Sequence, residues 1–189
     1  MRLRSAGIGL HSPLAPRERP LATFLVVESQ TLWVNFARSY YLSCALGTKS
    51  PDGGKLALGV PRFATEQAAL QFAVKVKGVA SARGEPIWHD LTAFDRSMTA
   101  LNLGDRTRLT RALGYPSAVF ADLNPCRNFF AHRSRSAAQK VKTVARRNGI
   151  PPDLPASDVV CSPASGHSQS LLVDWLDDLT AIIEILAVP

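Results

Sequence analysis

From Leu21 to Leu46 the chain reads LATFLVVESQTLWVNFARSYYLSCAL, without Gly or Pro, and Glu28, Gln30, Asn35 and Arg38 are its few strongly polar side chains. Such a run predicts a long α-helix, apolar nearly all round and buried on most sides. Its end is marked by Gly47 at the place of a C-terminal cap, and PDGG at 51–54 supplies turn residues. The same punctuation recurs along the chain. TEQAALQFAVKVKG opens on Thr65 as a cap and closes on Gly78, predicting a second helix of modest length. EPIWHDLTAFDRSMTALNL and GDRTRLTRALGY predict two short helices around Gly104. Near the C-terminus, Leu172, Trp175, Leu176, Leu179, Ile182, Ile183 and Leu186 keep helical spacing after Ser168 or Ser170 as a cap. No stretch alternates as a sheet requires, and no internal repeat is visible. The fold class expected is all-α, an up-and-down bundle of about four main helices with short extra helices in the middle.

A chain of 189 residues that is 46 % hydrophobic can bury a real core. Its net charge of +7 suits an anionic partner such as nucleic acid. The charge is unevenly placed: all 22 Lys and Arg lie at or before Arg147, while Asp153, Asp158, Asp174, Asp177, Asp178 and Glu184 follow it. A localised cationic surface is therefore expected rather than a uniform one. Cys44, Cys126 and Cys161 are far apart and in no CxxC pattern, so neither a disulfide framework nor a zinc site is indicated, and a reducing cytoplasm fits best. The start, MRLRSAGIGLHSPLAPRERP, is basic but lacks the apolar run of a secretory signal, and residues 1–19 are expected to form a flexible basic N-terminal arm. Acidic residues interrupt the apolar stretch from Leu171 to Val188, so no transmembrane segment is expected. GxxxxGK[ST], HExxH and GxSxG are all absent, which lowers the odds for ATPases, metalloproteases and esterases.

The sharpest signal is NPCRNFFAHRSR, Asn124 to Arg135. Asn is a favoured N-cap and Pro is favoured at the first helical position, predicting one helix from Pro125 to Asn148, stopped by Asn148-Gly149. On such a helix Phe130, Ala137, Val141 and Val144 form an apolar face. Asn128, His132, Arg135, Gln139, Lys142 and Arg146 form a polar stripe beside it. Arg127, Arg133, Arg135, Lys140, Lys142, Arg146 and Arg147 supply seven cations and the segment holds no carboxylate, whereas a purely structural surface helix mixes in Glu or Asp. That pattern suits phosphate. Arg127 would be the third helical residue, where an anion bound at the N-terminus offsets its unfavourable position. A histidine takes or gives a proton near neutral pH, and an arginine holds two phosphate oxygens. Those parts suffice for RNA cleavage in which the 2′-OH attacks its own phosphate.

RNFFAH resembles the RX4-6H motif of the HEPN superfamily, helical-bundle domains that include many prokaryotic ribonuclease toxins, and Arg127, Asn128 and His132 match it position by position. The resemblance implies that residues 20–189 form a single HEPN-like helical domain. It implies that His132 transfers protons, Arg127 binds phosphate and stabilises the transition state, and Asn128 supports them. Arg133, Arg135, Lys142 and Arg146 would bind the RNA. It further implies a homodimer whose two motifs share one cleft, a cytoplasmic location, no metal or other cofactor, and 2′,3′-cyclic phosphate and 5′-OH products. As a toxin, such a protein would be restrained by a protein or nucleotidyltransferase antitoxin. The likeness does not extend to the Gly47 to Pro116 region.

The competing reading is a non-catalytic dimeric helical adaptor that binds nucleic acid or a protein partner. Other polar residues carry plainer expectations. Arg38 should be buried in a pair with Glu28 or another acid, Tyr40 and Tyr41 should pack, and Trp33, Trp88 and Trp175 should serve the core. His89 beside Asp90 is a weak base–orienter pair, because sequence neighbours point to different sides of a helix. His11 and His167 fall in expected loops. The stretch PPDLPASDVVCSPASGHSQS is expected to lie across the surface.

Overall fold

The computed structural model describes residues 14–47, 63–81, 84–102 and 106–187, and within them the secondary structure is helical, with two isolated bridges and no strand. The PDGG turn, Gly104, His11 and most of the expected basic arm lie outside the described residues. Among the described residues eight helices follow in order: α1 (Arg19–Leu46), α2 (Glu66–Lys75), α3 (Leu91–Ala100), α4 (Thr107–Leu113), α5 (Val119–His132), α6 (Arg135–Arg147), α7 (Ala156–Val160) and α8 (Leu171–Ala187). No described helix is long and apolar enough to cross a membrane. The chain divides into two compact units, Met1–Thr31 with Ser117–Leu179, and Leu32–Pro116 with Thr180–Pro189.

The second unit is built on aromatic side chains. Trp33, Tyr41, Phe94 and Met98 are fully buried. Trp33 meets Phe94 edge-on at 5.5 Å between centroids, and Tyr41 meets Trp88 at 5.1 Å. Their polar ends are satisfied inside the unit: Trp33 Nε1 donates to the Trp88 carbonyl at 3.0 Å and the Tyr41 hydroxyl to the Ala69 carbonyl at 2.9 Å. Thr65 caps α2 by accepting from the Ala68 amide, as its position predicts. Asp90 caps α3 by accepting from the Ala93 amide at 2.9 Å, so its carboxylate serves the helix rather than His89. Arg38 pairs with Glu66 at 3.5 Å with both side chains exposed, which corrects the expected buried pair. α1 is less enclosed than its composition predicts, because Phe24 and Leu32 remain more than half exposed while Ala22, Val26, Trp33 and Ala37 are buried.

The first unit centres on α5 packed along α6, with α7 against both. Ala137, Val141, Val144 and Ala145 turn one side of α6 inward, each valine contributing about 1.5 kcal/mol or more by burial. From α8, Leu172, Trp175 and Leu179 supply the predicted stripe. Ser170 lies at the head of that helix, with the Val173 amide 3.4 Å from its hydroxyl. The stop at Asn148-Gly149 holds too: Gly149 has φ +68°, and a Cβ there would come within 2.8 Å of Ser165 Cβ. The segment expected as a surface loop is instead partly inside. It forms α7 and buries Ser157, Asp158, Val159 and Val160. The physical reason is that Asp158 has partners: its Oδ1 accepts from the Leu14 amide at 3.1 Å, and Arg19 approaches to 3.6 Å.

The main correction concerns the central helix. One helix from Pro125 to Asn148 was expected, and two are found, α5 and α6, with a break at Arg133 and Ser134. α5 begins at Val119, and Ser117 Oγ accepts from the Val119 amide at 3.0 Å, so Asn124 is not a cap. Pro125 lies inside the helix and removes the bond its amide would have given to the Ala121 carbonyl; Ala121 is exposed, so water can take that acceptor. Arg133 closes α5 in the left-handed region, φ 45° and ψ 32°, its amide donating to the Phe129 carbonyl at 2.7 Å. Ser134 then opens α6 as N-cap by accepting from the Ala137 amide at 3.1 Å.

Candidate nucleic-acid interface

The break redistributes the predicted site. Arg127, Asn128 and His132 belong to the last turns of α5, whereas Arg135, Lys142 and Arg146 belong to α6, so the expected polar stripe does not lie on one helix. The dipole argument changes sign as well. Arg127 is in the interior of α5, and His132 is in its final turn, the end where a cation is favoured.

The three motif residues divide into a bonded pair and a free partner. Asn128 Nδ2 donates to Asn124 Oδ1 at 3.1 Å, and Arg127 Nη1 donates to Asn128 Oδ1 at 3.3 Å. All three are half-buried, so this chain of amides holds the Arg127 guanidinium at the edge of the unit. His132 is exposed, and its imidazole has no hydrogen-bond or ion-pair partner among the described residues. Asn128 and His132 are four apart on one face, but the amide is committed to Asn124 and Arg127 and does not orient the imidazole. Residues five apart on a helix point about 140° away from each other, so Arg127 and His132 reach around α5 from opposite flanks. Between them sit Phe129 and Phe130, both half-buried, ring centroids 5.8 Å apart in an edge-to-face pair. Phe130 only partly continues the expected apolar face; the buried residues of α5 are Val119, Asp122, Leu123 and Cys126.

The cations of α6 are arranged as the charge pattern predicts. Arg135, Lys140, Lys142, Arg146 and Arg147 are exposed, and the helix contains no Asp or Glu. Arg147 is drawn off to the buried carboxylate of Asp122, which also accepts from Asn148 Nδ2 at 3.0 Å. That contact fastens the end of α6 to the start of α5. Arg133, Arg135, Lys140, Lys142 and Arg146 have no carboxylate partner among the described residues. Arg135 opens α6, where the dipole disfavours a cation and favours a bound anion.

Three features of this region were missed by sequence reasoning. Asp122 reads as one acid in a short apolar segment, and nothing nearby signals that Arg147 and Asn148 will return to it. Ser134 was a readable cap, but no Glu or Gln stands at the third helical position to complete a capping box. The left-handed backbone of Arg133 has no residue signature, since Gly or Asn would be usual there.

Elsewhere in the same unit, His167 Nδ1 lies 2.8 Å from Asp174 Oδ2, a surface pair apart from the motif residues in sequence. The cysteines are unsuited to nucleophilic work: burial pushes the Cys44 and Cys126 thiols up to about 12, and burial with nearby Asp158 and Glu18 pushes Cys161 up to about 11. Among the described residues, no three His, Cys, Asp or Glu side chains gather as metal ligands would. No family model, no curated protein and no solved structure matches the chain.

Proposed function

We propose that the protein is a metal-independent endoribonuclease of HEPN type, acting as a toxin in a toxin–antitoxin or defence system, with α6 binding RNA and α5 supplying the chemistry. The observation that carries this reading is the exposed, carboxylate-free face of α6, which runs on from a helix ending in His132. Exposed cations with no internal partner release counterions when they meet phosphate, the largest sequence-independent contribution to RNA affinity. Arg127, held by Asn128, would contact the non-bridging oxygens of the scissile phosphate. His132 would take the 2′-OH proton and return a proton to the 5′-oxygen leaving group, either itself or through its counterpart in a second protomer. The P–O5′ bond breaks as the P–O2′ bond forms, leaving a 2′,3′-cyclic phosphate and a 5′-OH.

The test is incubation of purified protein with total RNA in excess EDTA, followed by analysis of the ends. Wild type should cut and leave cyclic phosphates, and His132→Ala and Arg127→Ala should each lose about a hundredfold or more in rate. Cleavage that survives both substitutions, or 3′-OH products, overturns the reading.

A second reading is favoured by two specific observations: Asn128 bonds away from His132, and Phe24 and Leu32 of α1 are exposed. It is a non-catalytic, dimeric helical adaptor that binds nucleic acid or a protein partner. It predicts salt-sensitive RNA binding without turnover, unchanged by His132→Ala.

A further inference from the structure

We propose that Phe129 is a positioning residue that stacks an unpaired base beside His132, so that the site takes single-stranded rather than duplex RNA; this rests on the RNA reading above. Phe129 and His132 are three apart on α5, and so are Arg127 and Phe130, so each aromatic ring neighbours one polar motif residue on the helix surface. Going round α5, Phe129 falls between the buried stripe of Val119, Leu123 and Cys126 and the exposed His132. A large apolar ring at that boundary is only half-buried, and its edge-to-face contact with Phe130 restrains its orientation. A restrained aromatic next to a polar group is the arrangement on which nucleobases stack, irrespective of their identity.

The occupant is fixed by charge. Just past His132 the chain presents Arg133 and Arg135, then Lys142 and Arg146, all exposed and without a carboxylate partner among the described residues. A ligand that offers an aromatic face and a run of negative charges is a polynucleotide strand. In a duplex the base faces are already stacked and the edges paired, so Phe129 would be idle; in a loop or single strand the base can turn onto the ring. Stacking and charge then make separable contributions. The cations set the salt dependence, and Phe129 adds affinity that salt does not alter.

The experiment measures binding by fluorescence anisotropy in a His132→Ala background, so that RNA is not cut. The probes are a short single-stranded oligoribonucleotide, the same strand paired to its complement, and a strand of the same length with abasic sites. Phe129→Leu keeps an apolar side chain and removes the ring, and circular dichroism checks that the helices persist. The expected result is preference for the single strand, a loss of about tenfold with Phe129→Leu at an unchanged salt slope, and recovery with Phe129→Trp. The abasic strand should bind both forms equally. Equal affinity for single strand and duplex, or no effect of Phe129→Leu, overturns the inference while leaving RNA binding by α6 intact. Absence of any RNA binding overturns both.

Discussion

α5 and α6 are neighbouring helices of similar length that use their polar residues in opposite ways. On α5 they turn to one another: Asn124, Asn128 and Arg127 form a bonded chain, and Asp122 is buried against Arg147 and Asn148. On α6 all but Arg147 face outward, and Arg135, Lys142 and Arg146 meet no carboxylate among the described residues. Bonded side chains are held in place before a ligand arrives, which suits Arg127 to a contact that depends on position, while His132 on the same helix has no partner among the described residues. Free cations on a regular helix suit binding that depends on charge alone. Under the proposed function, reactivity would fall to α5 and attraction to α6, with Arg133 and Ser134 as the joint.

The largest effect should come from removing the attraction. Replacing Arg135, Lys142 and Arg146 together by Gln keeps helix propensity and should make the slope of log affinity against log salt for single-stranded RNA shallower by about 2, measured by titration at several salt concentrations. An unchanged slope would place the phosphate contacts elsewhere. Next in size is the fastening between the two helices. Arg147→Ala leaves the buried Asp122 carboxylate with Asn148 as its remaining partner and should cost about 2 kcal/mol in urea unfolding, moderated because Arg147 is itself partly exposed.

The joint gives a smaller effect of opposite sign. Arg133 holds a left-handed conformation that costs a side-chain residue about 1 kcal/mol, so Arg133→Gly should raise the melting temperature while weakening RNA binding by one charge. A fall in both would show that the Arg133 side chain supports the fold. A separate effect, absent at neutral pH, belongs to the alkaline range. Burial raises the Cys44 and Cys126 thiols from an ordinary value near 9.0 to about 12, so the folded state holds protons that the unfolded chain releases. Stability should therefore be unaffected by these groups below about pH 9 and decline above it, and Cys126→Ser should flatten that decline in pH-dependent unfolding.

Much of this architecture is legible in the residues. The Gly- and Pro-free run to Leu46, the Thr65 cap, the Leu172–Trp175–Leu179 stripe and the Asn148-Gly149 stop all act locally, through backbone freedom and periodicity, and all appear where the sequence puts them. The failures come where tertiary contact overrides a local signal. Asn124-Pro125 is a good helix start by itself, yet the helix begins earlier, at Val119, whose amide donates to Ser117 Oγ, and the proline is accommodated inside it. Pro and Ser mark 151–170 as a loop, yet Asp158 gains Leu14 and Arg19 as partners and the segment is drawn in. In the candidate site, the cations of α6 were readable because absence of carboxylates is a property of sequence. The bonding of Asn128 to Asn124 instead of His132 was not, since both partners are one turn away and composition does not choose between them.

The division between the two helices is tested most directly by measuring RNA binding and RNA cleavage side by side for wild type, His132→Ala and the triple Gln variant of α6. His132→Ala should bind RNA with the wild-type salt slope and not cut it, while the triple variant should bind weakly and cut slowly until RNA is raised in proportion. Cleavage by His132→Ala at the wild-type rate, or tight salt-dependent binding by the triple variant, would contradict that division.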